Sequence, residues 1–218
     1  MWYRLACWIC HVFCALLFRF RVYGLENVPD NGPLLLVCNH QSYLDPLFCG
    51  SRVKRNLCFM ARDSLFAPRF LGGLLLSLGV TPVSRGKADI AMTKRIISTL
   101  RQGNAVCLFP EGTRTSDGKI AELKAGFGLI ARRGEAAIVP VVIDGGFECW
   151  PRHQKLFSLG SRITVCYGKA ITAERVKAMK NRQLAAVMTD TLRKMQTQCR
   201  VMNGKKGYNY DEQPAESS

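Results

Sequence analysis

The chain has 218 residues, 48% of them hydrophobic and 22% charged, enough for one domain with its own core and outside the composition of a disordered chain. Its 31 Lys and Arg against 16 Asp and Glu leave a net charge of +15, so an anionic partner is expected, either a lipid surface or a nucleic acid. The ten cysteines lack the paired Cys/His clusters of a zinc site; no metal is expected, and they read as small apolar residues of a reducing compartment.

Residues 5–18 are almost wholly apolar, interrupted by His11 and flanked by Arg4, Arg19 and Arg21. The run is shorter than the roughly 20 residues that a spanning helix needs. No small-residue cleavage site follows it, which argues against a signal peptide. Its Arg, Trp and Tyr flanks suit a helix lying in one leaflet, and residues 1–20 are read as a membrane-associating helix; a buried core helix fits the same run. Short apolar runs bounded by turn residues then predict strands at 34–38, 57–60, 80–83, 105–109, 138–143 and 163–167. Helix-length segments alternate with them at 45–51, 65–77, 87–101, 123–133 and 172–200. Such alternation predicts an α/β fold with a mixed, largely parallel sheet flanked by helices. Residues 21–205 form the expected domain, and 206–218 a polar, frayed tail. The apolar stretch 65–80 fits an acyl-chain tunnel, a dip into lipid or a plain core helix.

Two strand ends carry chemistry. In open α/β sheets ligands bind beyond the carboxyl ends of the strands. His40 follows the first of these core strands, and Asp45 comes five residues later. On one continuous helix the two would stand roughly 140° apart. With His40 at the strand end and Asp45 opening the next helix, the turn can fold the carboxylate onto the imidazole, fixing its tautomer and leaving the other nitrogen to accept a proton. A strand-end histidine that merely caps local backbone is the competing reading. No G-x-S-x-G elbow is present and Ser42 is badly placed for attack, so the hydroxyl is expected to come from the substrate. At the second strand end stands Phe109-Pro110-Glu111-Gly112-Thr113-Arg114. Gly112 permits a close backbone approach, and Arg114 offers a planar fork suited to phosphate. Glu111 would orient that arginine or bind an acceptor hydroxyl, with Lys124 adding charge at a helix start. An ordinary surface turn with an ion pair is the alternative here.

Together these segments resemble the glycerolipid acyltransferase family that includes bacterial 1-acylglycerol-3-phosphate acyltransferases. Its N-H-x-x-x-x-D motif is present as Asn39, His40 and Asp45, and its F-P-E-G-T-R motif is unbroken from Phe109 to Arg114. The intermediate segment ending in a phosphate-binding arginine is similar to Gly79-Val80-Thr81-Pro82-Val83-Ser84-Arg85, and the final V-P-V strand to Val139-Pro140-Val141. The resemblance implies that His40, oriented by Asp45, is the general base, and that Arg85, Glu111, Gly112, Thr113 and Arg114 bind the acceptor's glycerol phosphate. It implies acyl-CoA or acyl-carrier protein as donor substrate, a lysophospholipid as acceptor and no resident cofactor. A phospholipid surface at the cytoplasmic face of the inner membrane is the expected setting, with no nucleic-acid partner. Two positions depart from the pattern: Ser84 stands where the family often has aspartate, and Arg62 where it often has lysine. Arg62, which keeps the charge but not the lysine geometry, is a further phosphate-ligand candidate, as is Lys124 at its helix start.

Overall fold

The computed structural model describes residues 1–83 and 89–210. Helix α1 (Trp2–Leu17) leads into strand β1 (Arg19–Tyr23), then β2 (Leu34–Cys38), α2 (Asp45–Gly50), β3 (Leu57–Cys58) and β4 (Met60–Arg62). Next come α3 (Arg69–Ser77), β5 (Thr81–Val83), α4 (Asp89–Arg101), β6 (Ala105–Leu108) and α5 (Gly126–Arg133). The chain continues through β7 (Ala137–Asp144), α6 (Gly146–Cys149), β8 (Arg162–Tyr167), α7 (Ala173–Ala178) and α8 (Asn181–Met202). Six strands form one sheet in the order β1-β8-β7-β2-β6-β3, parallel except for the β7–β8 pair. The expected mixed, mostly parallel α/β layer is what the chain forms. Strands β4 and β5 pair separately, parallel, as a two-stranded sheet.

The continuous apolar run of β2 has a direct cause in this topology. A strand points alternate side chains to opposite faces, and here both faces are covered by helices. Leu35 and Val37 enter the core beneath α4, α5 and α8, whereas Leu34, Leu36 and Cys38 enter the one shared with α1 and α2. All five are fully buried.

The local differences from the sequence reading are instructive. Strand β1, Arg-Phe-Arg-Val-Tyr, was not expected; its exposed and partly buried positions alternate, and pairing with β8 supplies what its short charged sequence does not advertise. The expected 57–60 strand divides, β3 joining the large sheet and β4 the small one. Pro68 limits the expected 65–77 helix to α3, preceded by a 3-10 turn at Asp63–Phe66. The expected 172–200 helix breaks between α7 and α8, where Met179 and Lys180 are extended and Arg132 donates to the Met179 carbonyl. Residues 206–210, expected within a polar tail, lie against α8: Arg200 stacks over Tyr208 and Arg193 over Tyr210.

Helix α1 is anchored as well as exposed. Cys14 is fully buried, and Tyr3 and Leu57 exchange hydrogen bonds between hydroxyl and backbone. Trp2, Leu5, Trp8, Ile9 and Leu16 nonetheless face outward. Among the described residues no helix is long and apolar enough to cross a membrane.

Candidate active site

Because β2, β6 and β7 run parallel, their carboxyl ends emerge on one edge of the sheet, which brings the two motifs together. Asn39 fixes the exit of β2. Its amide donates to the Ile143 carbonyl (2.9 Å) and its Oδ1 accepts from the Ile143 N–H (2.8 Å), extending the ladder to β7 by one side chain. The chain then turns at His40 and starts α2 at Asp45, with Pro46 in the first turn where its missing N–H costs nothing.

The turn folds Asp45 back. Its Oδ2 lies 2.7 Å from His40 Nδ1 and also accepts from the N–H groups of Gln41 (2.6 Å) and Ser42 (2.8 Å). An oxygen already taking two backbone donors acts as acceptor toward the ring too, so Nδ1 carries the hydrogen and Nε2 is left as the proton-accepting nitrogen. Asp45 is fully buried, and its Oδ1 has no hydrogen-bond partner among the described residues. The imidazole keeps about a fifth of its surface exposed, 22%, and stacks on Phe109 at 4.3 Å between ring centroids. Ser42 is buried with its hydroxyl accepting from the Leu44 N–H, a local turn role rather than that of a nucleophile.

Glu111 ties the second motif to the first. One carboxylate oxygen accepts from the His40 N–H at 2.7 Å, the other from the Ala121 N–H at 3.1 Å. Burial pushes its carboxyl up to about 7, against the lowering effect of those two N–H groups. The His40 carbonyl in turn accepts from Thr115 N–H (2.9 Å). Glu111 thus orients backbone around His40; no ion pair joins it to Arg114 among the described residues. Gly112 sits at φ +78°, the left-handed region that favours glycine. Arg114 lies over the Tyr43 ring at 3.4 Å, with its buried Nη1 unpartnered among the described residues. Tyr43 contacts Trp150 in turn, at 5.1 Å between ring centroids.

Beside Glu111 a cavity of about 380 Å³ is lined by Thr113, Arg114, Lys119, Arg152 and Arg193 among others. Three of these cations, Lys119, Arg152 and Arg193, had no motif to announce them; they arrive from a loop, the stretch after α6, and α8. Of the sequence-expected candidates, His40, Asp45, Glu111, Gly112, Thr113 and Arg114 converge on this edge. Lys124 joins them at its periphery: its N–H donates to the Pro110 carbonyl (3.1 Å), and its Nζ is 2.7 Å from where a Cβ on residue 112 would stand. Arg62 is exposed on β4 of the small sheet and is not among the residues lining the cavity. Arg85 lies outside the described residues. Among those described, no group of three or more His, Cys, Asp or Glu side chains is placed to hold a metal ion.

A histidine held by a buried carboxylate, next to a cation-lined cavity, is equipped to move one proton and hold one anion. Comparison with known proteins finds a family match over this part of the chain. Residues 19–144 match the family model described as Acyltransferase, a span holding His40, Asp45 and the whole Glu111–Arg114 motif. The 1-acyl-sn-glycerol-3-phosphate acyltransferase of Bacillus subtilis is 28% identical over 79% of this chain and 83% of its own. That of Pseudomonas aeruginosa is also 28% identical, over 88% and 75%. The chloroplast enzyme LPAT1 of Arabidopsis thaliana is 27% identical over 75% of this chain, which spans only about half of that relative, 47%. In fold, the crystal structure of the 1-acyl-sn-glycerophosphate acyltransferase PlsC from Thermotoga maritima superposes with a TM-score of 0.74 at 22% identity, over 85% of this chain and 74% of that one. With the family model covering more than half of its length, this chain belongs to the acyltransferase family.

Proposed function

We propose that the protein transfers a fatty acyl group from an acyl thioester, acyl-CoA or acyl-carrier protein, to the free hydroxyl of 1-acylglycerol 3-phosphate, giving phosphatidate. The observation that carries this reading is the 2.7 Å His40–Asp45 contact standing beside the cation-lined cavity next to Glu111. In the proposed step Nε2 of His40 takes the acceptor's hydroxyl proton as that oxygen bonds to the thioester carbonyl carbon. The carbon–sulfur bond then breaks, and the sulfur leaves with the proton returned from the imidazolium. Arg114 would grip the acceptor phosphate through its unpartnered Nη1, with Thr113, Gly112 and the nearby Lys119, Arg152 and Arg193 completing the anion site. Arg85, and more distantly Arg62, remain proposed phosphate ligands on the family pattern alone, and Lys124 is one on its charge beside Gly112. The thioester is already activated, so the reaction needs no resident cofactor.

A membrane setting, at the cytoplasmic face of the cell membrane, is part of the same proposal. The exposed apolar residues of α1 are continued by Phe70, Leu71 and Leu76 of α3, and Trp2 Nε1 bridges the two helices by donating to Ser77 Oγ at 3.1 Å. Two neighbouring apolar helix faces on a chain of net charge +15 support docking on an anionic bilayer. The same chemistry on glycerol 3-phosphate or another lysophospholipid is the alternative.

Product analysis decides between them: one labelled acyl donor, presented on CoA or on carrier protein, is offered to a panel of acceptors. Phosphatidate formed from 1-acylglycerol 3-phosphate is the expected outcome, and exclusive acylation of another acceptor would replace it. His40→Ala is expected to lower kcat by roughly 10²–10⁴-fold with unchanged thermal stability, the range of a lost general base. Wild-type turnover in that variant would remove His40 from the mechanism.

A further inference from the structure

Residues 206–210 make contacts that no strand or helix requires of them. Tyr210 OH accepts from the Ile120 N–H at 2.9 Å and donates to Gln196 Oε1 of α8. The Ile120 carbonyl accepts from Arg193 Nε at 3.1 Å, and the Arg193 guanidinium lies over the Tyr210 ring at 4.8 Å. Gln196 Nε2 reaches the Gly118 carbonyl at 2.9 Å, where Gln41 Nε2, from the turn after His40, also donates at 2.8 Å. Lys119 Nζ donates to the Asn209 carbonyl at 3.2 Å. Gly118, at φ +85°, leaves no room for a Cβ against the Tyr208 hydroxyl. The loop 118–121 is therefore held on both of its backbone polar edges.

The next bond in this chain matters for chemistry. The Ile120–Ala121 peptide whose carbonyl Arg193 holds is the peptide whose N–H donates to Glu111, and Glu111 receives the His40 N–H on its other oxygen. We infer that Tyr210, acting with Arg193 and Gln196 of α8, is a positioning residue that aims the Ala121 N–H at Glu111 and so sets the anion-binding edge of the site relative to His40. It touches no reacting atom. Its effect passes through Ile120, whose N–H it holds on one peptide while Arg193 holds the carbonyl on the next, and Arg193, Asn209 and Tyr210 also line the same cavity as Glu111 and Arg114. Buried hydrogen-bond networks of this kind are strongest when every member is satisfied, and removing one hydroxyl here strips both the Ile120 N–H and Gln196 Oε1 of a partner.

This inference rests on the acyltransfer reading for its kinetic arm only. Tyr210→Phe keeps the ring and removes the hydroxyl. Amide hydrogen exchange over residues 118–121 is expected to quicken about 10-fold, and the KM for the phosphorylated acceptor to rise by a similar factor, with donor KM unchanged. Arg193→Lys, which keeps the charge but loses the Nε donor, is expected to move both readouts in the same direction and serves if the first variant does not fold. Exchange at the wild-type rate in the variant that folds would overturn the inference. So would faster exchange with acceptor and donor KM both unmoved, which would make the contact structural only. If the wild-type protein acylates no acceptor at all, the acyltransfer reading falls, and the exchange arm alone decides whether Tyr210 holds the loop.

Discussion

Asp45 illustrates how much one oxygen can organise. Three donors converge on its Oδ2, so the tautomer of His40 follows from the turn that brings residues 40–45 together. Arg114 works by a different principle: its fork is stacked on Tyr43 and retains an unpartnered donor, which lysine, a compact charge on a flexible stem, cannot reproduce. Arg114→Lys is expected to raise the acceptor KM by roughly 30-fold, about 2 kcal/mol for a lost charge-assisted contact, with little change in donor KM. Glu111 predicts a pH effect on stability. Its folded value of about 7 stands above the ordinary 4.5, so the folded protein binds the proton more tightly than the unfolded chain. The stabilisation from that proton is complete below about pH 4.5 and is lost as the pH rises through 7, on the order of 3 kcal/mol across the window. Denaturant midpoints of wild type and Glu111→Gln measured from pH 4.5 to 8 test this: the difference between them is expected to change with pH, and a constant difference would refute it.

At the scale of elements, the site depends on strands ending together. Residues 143 and 144 of β7 lie beside the exit of β2, and the turn that follows brings Gly146 against the catalytic candidates. A Cβ there would stand 3.0 Å from Asp45 Oδ1 and 3.2 Å from Gln41 Cβ. Gly146→Ala is thus expected to displace the carboxylate that holds His40 and to cut kcat about 10- to 100-fold while the circular dichroism spectrum is unchanged, since small displacements at a reacting centre are costly. Full activity in that variant would mean that the Asp45 side of the turn tolerates movement. The same scale shows where sequence patterns fail. Periodicity predicted apolar strands and long helices; it did not predict β1, whose arginines hide a strand stabilised by β8, or the break at residues 179 and 180 between α7 and α8.

Across the whole molecule, the two cores separate two jobs. Helices α4, α5 and α8 cover one face of the sheet and carry Arg193 and Gln196; α1 and α2 cover the other, where α1 also keeps an apolar outer face. Because Cys14 and Tyr3 tie α1 into the fold, deleting it would test folding together with membrane binding. Point changes separate them. Trp8 is 61% exposed and Phe70 88%, so Trp8→Lys with Phe70→Lys leaves the cores intact and removes two rings from the proposed membrane-docking face. Burial of each ring is worth roughly 2 kcal/mol, so binding to anionic phospholipid vesicles is expected to weaken by at least about 10-fold at constant melting temperature. Unaltered vesicle binding would move the docking surface elsewhere.

Local pattern was sufficient for the parts of this protein that are local. A five-residue apolar strand followed by Asn39-His40, an aspartate five residues beyond that histidine, and an unbroken Phe109–Arg114 segment specify the candidate base, its carboxylate and the candidate anion loop. Strand–helix alternation specifies the sheet that unites them. Only the tertiary structure decided what stands around them: that Glu111 binds the backbone of His40 rather than Arg114, that Lys119, Arg152 and Arg193 share the cavity, and that Tyr210 reaches back 90 residues to Ile120. Those contacts follow from which strand ends and helix faces meet in space. Hydropathy periodicity, which records only burial within a segment, has no term for them.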